Sequence, residues 1–257
     1  MGKDPYGMTR KALTILTLIL FVLPAVAQQQ DDTTVTLKRP QKAGTVQRYK
    51  IEAIADAGGT EVTVERKMKI EIKEVKENGD VVLVMKDEGG KIVAMGQEME
   101  VPLASTVTVT TDKLGKVLKY ERANDDLSVM APQIERLLAV AQDYVLPEKD
   151  VKPGDTWQYE MDNPALKDTK VTVKLMYAGF EKVDETRVWK IKQAMSAPVD
   201  REGGKMEAEM TFFVNSETGV TVRAEGKFSN VPSQYGPVNI TWKTSLVKPD
   251  ATPAAAK

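Results

Sequence analysis

Apolar and polar residues alternate along several stretches of this chain. In the stretch 67–73, Met68, Ile70 and Ile72 are separated by charged residues, and in 206–212, Met206, Met210 and Phe212 keep the same spacing. Successive side chains of a β-strand point to opposite faces, so each stretch predicts a strand with one face on a core and one in water.

The alternation also predicts where the strands turn and bend. Its phase changes between Ile72 and Val75, which indicates a bulge near Lys73 and a curved strand. Asn78-Gly79 is typical of a tight primed turn, so residues 60–88 are predicted to form one long hairpin. Two further strands are predicted over 171–183 and 188–195, with a turn near Asp184.

Between these stretches the spacing becomes helical. The apolar positions that recur at three and four residues are Leu127, Met130, Ala131, Ile134, Leu137, Leu138 and Ala141. They predict a central helix within 124–146. Pro132 has no N–H to donate inside a helix, so the regular part is expected to begin around Ala131.

Three short motifs occur twice in the same order. Lys42-Ala43-Gly44 with Tyr49 matches Lys152-Pro153-Gly154 with Tyr159, Val62-Thr63-Val64 matches Val171-Thr172-Val173, and the turn 112–117 matches 215–220. Shared order at a nearly constant separation indicates an internal duplication.

These elements predict a mostly β (α+β) fold, in which a duplicated, curved antiparallel sheet forms a half-barrel around one central helix. The first β lobe is predicted at 35–123, the central helix at 124–146 and the second β lobe at 147–247. Two separate lobes, 35–123 and 150–247, are the competing arrangement.

The two ends of the chain have compositions of their own. Arg10 and Lys11 precede an apolar run of about a dozen residues and the triplet Ala25-Val26-Ala27, which is typical of a secretory signal peptide at 1–27. We therefore expect an exported protein, periplasmic or secreted, with no transmembrane anchor after processing. Residues 28–34 are predicted to be a flexible segment and 248–257 a disordered tail.

The composition narrows the possible chemistry. The chain contains no cysteine and no histidine, so thiol catalysis, Ser-His-Asp constellations and the commonest zinc and copper ligands are excluded. Its formal net charge is −1, and it becomes more negative without the basic leader, which disfavours nucleic acid as a partner. No motif indicates a cofactor.

A carboxylate-only hydrolase is the one enzyme class that this composition leaves open. The available acidic pairs are Asp87-Glu88, Glu98 with Glu100, Asp125-Asp126 and Glu207 with Glu209. Each lies in a predicted turn, at a helix start or on a polar strand face, where solvation alone accounts for it. A non-catalytic protein is therefore favoured.

Two methionine pairs have a spacing of four residues, Met95 with Met99 and Met206 with Met210. Thioethers suit cuprous copper, but strand residues four apart stand about 13 Å from each other, too far to share one ion. Core filling is the favoured interpretation of both pairs. Methionines also line adaptable apolar binding surfaces.

The segment Lys152-Pro153-Gly154-Asp155-Thr156-Trp157 resembles the K-x-G-D-x-W turn of a group of uncharacterised bacterial exported proteins. The curved strands, the single helix and the 215–219 turn are also distantly similar to the lipoprotein-carrier fold of the bacterial envelope. That resemblance implies an incomplete barrel that shelters acyl chains, but no residue motif for acyl binding accompanies it.

The leading hypothesis is an exported module that binds an apolar, lipid-like ligand in a concave sheet face. Its candidate residues share the apolar face of the predicted strands and are Met68, Ile70, Ile72, Met206, Met210 and Phe212. The alternative is a structural or protein-interaction module of the envelope with a filled core. Possible partners are accordingly a lipid or an envelope protein.

Overall fold

The computed structural model describes residues 33–57, 59–100, 106–123, 130–234 and 236–247. The predicted signal peptide 1–27 and the tail 248–257 lie outside these residues, and so does most of the predicted flexible segment. The described residues belong to one compact unit of the chain.

The described chain consists mainly of β-strands. In order they are β1 (Val46–Ala57), β2 (Thr60–Val75), β3 (Val81–Ala94), β4 (Gln97–Glu100), β5 (Thr106–Thr111), β6 (Val117–Arg122), then the helix α1 (Pro132–Ala141), then β7 (Thr156–Asp162), β8 (Lys170–Val183), β9 (Thr186–Pro198), β10 (Lys205–Asn215), β11 (Thr221–Val231) and β12 (Val238–Leu246).

All twelve strands form one antiparallel, curved and unclosed sheet. Their order is β6-β5-β3-β2-β1-β12-β11-β10-β9-β8-β7, and β4 pairs with the far part of β3. The first and second halves of the sheet join where β1 pairs with β12. The predicted mostly β half-barrel with one helix is confirmed.

The sheet curls until its two edge strands approach each other at one end. The Lys116 ammonium, just before β6, donates a hydrogen bond to the Glu160 carbonyl of β7 at 3.0 Å. The segment that follows the helix fills the remaining gap, since Leu146 N donates to Leu114 O at 2.8 Å. Further along, Val35 and Val151 form an isolated bridge. The curvature therefore brings together residues that are distant in the sequence.

The structure confirms the predicted bulge and corrects the predicted turn. The β2–β3 register shifts between Ile72 and Glu74, where the apolar phase changes in the sequence. In the turn, Gly79 has a positive φ of 87°, whereas Asn78 does not. Lys76 N donates to Asp80 O, so the connection is a three-residue loop closed by a glycine bulge rather than a two-residue primed turn.

Helix α1 begins where Pro132 requires and is shorter than the predicted 124–146. Its first turn contains Pro132, and Ala131 is the N-cap. Residues 124–129 lie outside the described chain. The helix ends at Ala141 because the chain then turns to bury Tyr144, Val145 and Leu146 in the protein interior. These tertiary contacts outweigh the helical spacing of the sequence.

Two of the three repeated motifs occupy matching places in the sheet. The turns 112–117 and 215–220 join β5 to β6 and β10 to β11, the fourth and fifth strands of each half when β4 is left aside. Gly44 N donates to Ile72 O and Ile72 N to Thr45 O, and in the second half Gly154 N donates to Tyr177 O and Tyr177 N to Asp155 O. Tyr49 and Tyr159 then follow at the same distance along β1 and β7.

The third motif, the two Val-Thr-Val segments, does not lie at matching places. If Ile72 corresponds to Tyr177, the residue that corresponds to Val173 is Met68, and not Val64. The internal duplication stays a prediction, and its support is confined to the two turns.

The described residues contain no helix with the length and apolar character needed to cross a membrane.

Candidate binding surface

The six predicted site residues all lie on strands β2 and β10, on the face of the sheet that carries the core. Three strands, β1, β12 and β11, separate β2 from β10. The two groups of three are therefore not neighbours in the sheet, and the structure divides them further by burial.

The β10 group lies in filled core. Met206, Met210 and Phe212 are at most 2% exposed. Helix α1 packs on β9 and β10 and also contacts β6, and the Tyr144 ring lies 5.5 Å from the Phe212 ring. Met210 also borders the open groove across β7–β11, but burial leaves none of the three side chains accessible to a ligand, so our proposed site does not include them.

The β2 group lies in a less tightly packed half of the same face. Ile72 is buried, but Met68 and Ile70 are half-buried. Ile70 is paired with Met85 of β3, and Met68 is paired with Asp87.

Half-buried apolar side chains continue along the inner face of β1–β3 beyond Met68. Tyr49 and Ile51 of β1 belong to the core, and the register places alternate residues of β2 and β3 on the same face. We call this the first-half inner surface. Its members are Ala53, Val62, Val64, Met68, Ile70, Met85, Ile92 and Ala94.

One ion pair lies on this apolar surface. The Arg66 Nε donates to Asp87 Oδ1 at 3.1 Å, and Arg66 Nη2 binds the same oxygen. The Asp87 side chain is 6% exposed and that of Arg66 is 37% exposed. Because both nitrogens share one carboxylate oxygen, the Nη1 group of the guanidinium remains available to a polar group next to the apolar surface.

A glycine next to this ion pair leaves the β3 backbone beside Arg66 without a side chain. Gly90 is the β3 partner of Arg66, and a Cβ there would lie 2.1 Å from the Glu65 carbonyl oxygen. No side chain can therefore stand beside Arg66 on that strand. The sequence indicates that Arg66 belongs to this surface, because Arg66 is a charged residue at an alternate position between the apolar residues Val64 and Met68.

At the other end of the sheet a polar cluster closes the interior. Arg39 donates to the Tyr144 carbonyl and, at 2.6 Å, to Asp143 Oδ2, and its guanidinium lies 4.7 Å from the Tyr144 ring centroid. Burial disfavours the charged form of Arg39, but the nearby Asp143 carboxylate stabilises that form, and the Arg39 pKa is raised as a net result. Burial likewise raises the pKa of Tyr49. This cluster has a structural role.

Two open grooves lie elsewhere on the described chain. The larger, of about 900 Å³, crosses β7–β11 and includes the exposed side chains of Lys174, Lys192 and Lys227. These three lysines form no ion pair within the described residues. The smaller, of about 400 Å³, lies between the loops 166–169 and 198–205. Neither groove lies on the first-half inner surface.

The acidic pairs of the sequence have separate environments. Asp87 is bound to Arg66, and Glu98, Glu100, Glu207 and Glu209 are exposed on strands. The pair Asp125-Asp126 lies outside the described residues. Within the described chain, no three acidic side chains are arranged to hold a metal ion.

The methionine pairs differ from each other. Met206 and Met210 fill the core as predicted, but Met95 is 84% exposed and Met99 is 51% exposed. The prediction of core filling is therefore wrong for the first pair. Alternation indicates which face a residue occupies, but it does not indicate whether other residues cover that face.

Comparison with known proteins gives likenesses of structure alone. No family model matches the chain, and no curated protein does. The chain is similar to lipovitellin, in a structure concerned with its lipid–protein interactions, with a TM-score of 0.46, 13% identity and 84% of this chain covered. It spans about a quarter of the lipovitellin chain, of which 26% is covered.

Two smaller proteins also align with most of this chain. The hypothetical lipoprotein YmcC from Escherichia coli (K12) has a TM-score of 0.31 and 12% identity, with 80% of this chain and 86% of that chain covered. A DUF1329 family protein from Desulfovibrio piger has a TM-score of 0.24 and 9% identity, with 81% and 88% covered. These values assign neither a ligand nor an activity to the present protein.

Proposed function

We propose that this protein is an exported, non-catalytic module that binds an apolar ligand on the first-half inner surface, with a polar group of the ligand at Arg66. The observation that carries the proposal is the difference between the two halves of one sheet face. The second half is packed under α1, whereas apolar side chains of the first half are half-buried.

The chemistry of the surface favours a ligand with an acyl or similar chain. Val64, Met68 and Ile92 offer flexible or branched apolar contacts without aromatic rings. Each methylene group removed from water on such a surface contributes about 0.8 kcal/mol. Methionine adapts to irregular apolar shapes, which suits a chain of variable length.

Arg66 gives the surface a polar group between Val64 and Met68. Its guanidinium is held by Asp87, so its position is fixed before a ligand arrives. The remaining Nη1 group can donate a charge-assisted hydrogen bond to a carboxylate or phosphate oxygen, whereas an aliphatic chain offers it no acceptor. A ligand with one polar group and one apolar chain therefore fits better than a hydrocarbon alone.

Export rests on the sequence of the first 27 residues. The basic pair Arg10-Lys11, the short apolar run and Ala25-Val26-Ala27 occur in the order of a cleavable leader. A location in the periplasm or outside the cell would give the protein access to envelope lipids.

The proposal predicts that Met68→Gln weakens ligand binding about tenfold, because an amide would replace an apolar contact. A dansyl-labelled fatty acid, titrated into the purified protein and followed by fluorescence, measures this. Lys69→Gln is the matched control, since Lys69 follows directly on the strand but faces outward, where it pairs with Glu71. It should bind the probe like the unmodified protein.

Two results would count against the proposed site. One is failure of the unmodified protein to bind the dansyl fatty acid. The other is an equal affinity of the Met68→Gln and Lys69→Gln variants. In both cases melting curves of the variants must show that they are folded.

A protein-interaction module with a filled core is the second candidate. The packed β10 face and the outer groove of about 900 Å³ favour it. Native mass spectrometry of protein purified without detergent separates the two functions, because a carried lipid adds a discrete mass to the protein and a filled core adds none.

A further inference from the structure

Strand β4 is a short edge strand with a free side. It pairs with Lys91–Ala94 of β3, whereas β5 pairs with the earlier part of β3, Val81–Lys86. Among the residues that the structure describes, β4 has no second neighbour. An edge strand of this kind can be extended by a strand from another molecule.

The side chains of β4 are not covered. All four residues, Gln97, Glu98, Met99 and Glu100, are exposed. Met99 is on the same face as its β3 partner Ile92, and the two glutamates that flank it are on the opposite face. The strand therefore presents one apolar side chain between two acidic ones.

The turn that leads into β4 carries a second exposed methionine in a strained conformation. Met95 and Gly96 have φ values of 51° and 75°, as a two-residue type I′ turn requires. Asparagine or glycine adopts positive φ at lower cost than methionine. The local fold does not require methionine here, and its side chain is 84% exposed.

The hairpin geometry indicates which backbone groups are free. In a two-residue hairpin the residues that flank the turn, Ala94 and Gln97, form a hydrogen-bonded pair, and the bonded pairs then alternate. The N–H and C=O groups of Glu98 and Glu100 consequently point away from β3. These are the groups that an added strand would bond.

The charge around this edge is negative. Lys91 forms an ion pair with Glu98 at 3.3 Å, and Glu100, opposite Lys91 on β3, forms no ion pair with a described residue. Glu65, the β2 neighbour of Lys91, is itself paired with Lys50 at 3.8 Å. The two glutamates of β4 therefore share one lysine, and the unpaired carboxylate of Glu100 favours a basic partner.

We propose that the free edge of β4, together with Met95, binds an extended protein segment in which basic and apolar residues alternate. In antiparallel or parallel pairing, the basic side chains of this segment lie beside Glu98 and Glu100, and an apolar side chain lies beside Met99. The proposal is independent of the ligand on the first-half inner surface.

The probe is a synthetic eight-residue peptide of alternating lysine and valine, labelled for fluorescence anisotropy. A peptide of the same composition, with the lysines and valines in separate blocks, is the first control. An alternating glutamate–valine peptide is the second. We expect the alternating basic peptide to bind at least tenfold more tightly than either control at moderate salt.

Three variants test the named residues. The double variant Glu98→Lys with Glu100→Lys should reverse the preference in favour of the glutamate–valine peptide. Glu98→Pro removes an outward N–H without breaking a bond to β3, and should weaken binding of the basic peptide about tenfold. Met95→Asn should raise the melting temperature and weaken binding about threefold.

Several outcomes would overturn the proposal. They are equal binding of the alternating and block peptides, unchanged binding by Glu98→Pro, or no reversal in the double lysine variant. Binding of the protein to phosphatidylcholine vesicles that is lost in Met95→Asn, without any peptide binding, would instead identify the hairpin as a membrane contact. Loss of fatty-acid binding in these variants is not expected, which separates this test from that of the proposed function.

Discussion

Replacing Arg39 with alanine is expected to destabilise the protein by about 3 kcal/mol, the range found when one partner of a buried ion pair is removed. The side chain is 14% exposed and binds both Asp143 and the Tyr144 carbonyl. Without it, the partly buried Asp143 carboxylate and the Tyr144 carbonyl lose their hydrogen-bond donor, and the Tyr144 ring loses a stacked cation.

The consequences should reach both halves of the sheet. The Tyr144 hydroxyl donates to Gly219 O, and the turns at Gly115 and Gly219 both lie against Arg39 or its neighbour. For a domain of this size the melting temperature should fall by roughly 10 °C. Hydrogen exchange should accelerate most in the segment 142–151.

The control for this variant is Arg48→Ala. Arg48 also forms an ion pair, with Glu88, but its side chain is 54% exposed. Exposed pairs contribute about 0–1 kcal/mol, so urea denaturation should show almost no change. Similar losses for both variants would contradict the role assigned to the Arg39 cluster.

Phe212→Ala should have a still larger effect, with a loss of about 4 kcal/mol in the free energy of unfolding. Phe212 is 1% exposed and packs beside Tyr144 in the core. Its replacement would leave a cavity that the surrounding sheet cannot easily close. Urea denaturation followed by tryptophan fluorescence measures the loss.

This variant also distinguishes core from ligand surface. Leu118→Ala, at a residue 45% exposed on β6, is the control and should change stability by less than about 0.5 kcal/mol. If Phe212 instead lined an accessible ligand face, its replacement would weaken fatty-acid binding while stability stayed close to normal. That result would show that Met206, Met210 and Phe212 belong to the binding site.

Much of the fold was predictable because the strands repeat a simple period. The phase change after Ile72 predicted the bulge, and Pro132 predicted the start of the helix. The end of the helix was not predictable, because it depends on contacts of Tyr144 with Arg39 and Gly219, which are distant in the sequence.

The candidate site was predictable only in part, because burial also depends on contacts between residues that are distant in the sequence. Alternation places Met68 and Met210 on the same kind of strand face, but Met210 is buried in the core whereas Met68 is half-buried. Met95 and Met99 were predicted to fill the core because methionine usually does so. Their exposure depends on β4 being an edge strand, which a local pattern does not show. The sequence shows Arg66 as a charged residue among the apolar positions of β2. Its pairing with Asp87 could not be predicted, because it depends on the register between β2 and β3.

We expect the first-half inner surface to be accessible to a ligand and the β10 face to be closed by packing. The chain has no cysteine, so single thiols can be placed at either site without background. The most direct measurement is the rate at which an apolar maleimide labels the folded variants Met68→Cys and Met210→Cys, with and without fatty acid.

Met68→Cys should be labelled fast, and fatty acid should slow its labelling, whereas Met210→Cys should be labelled only as the protein unfolds. Equal labelling of both variants, or labelling of Met68→Cys that fatty acid leaves unchanged, would show that the first-half inner surface is not a ligand site.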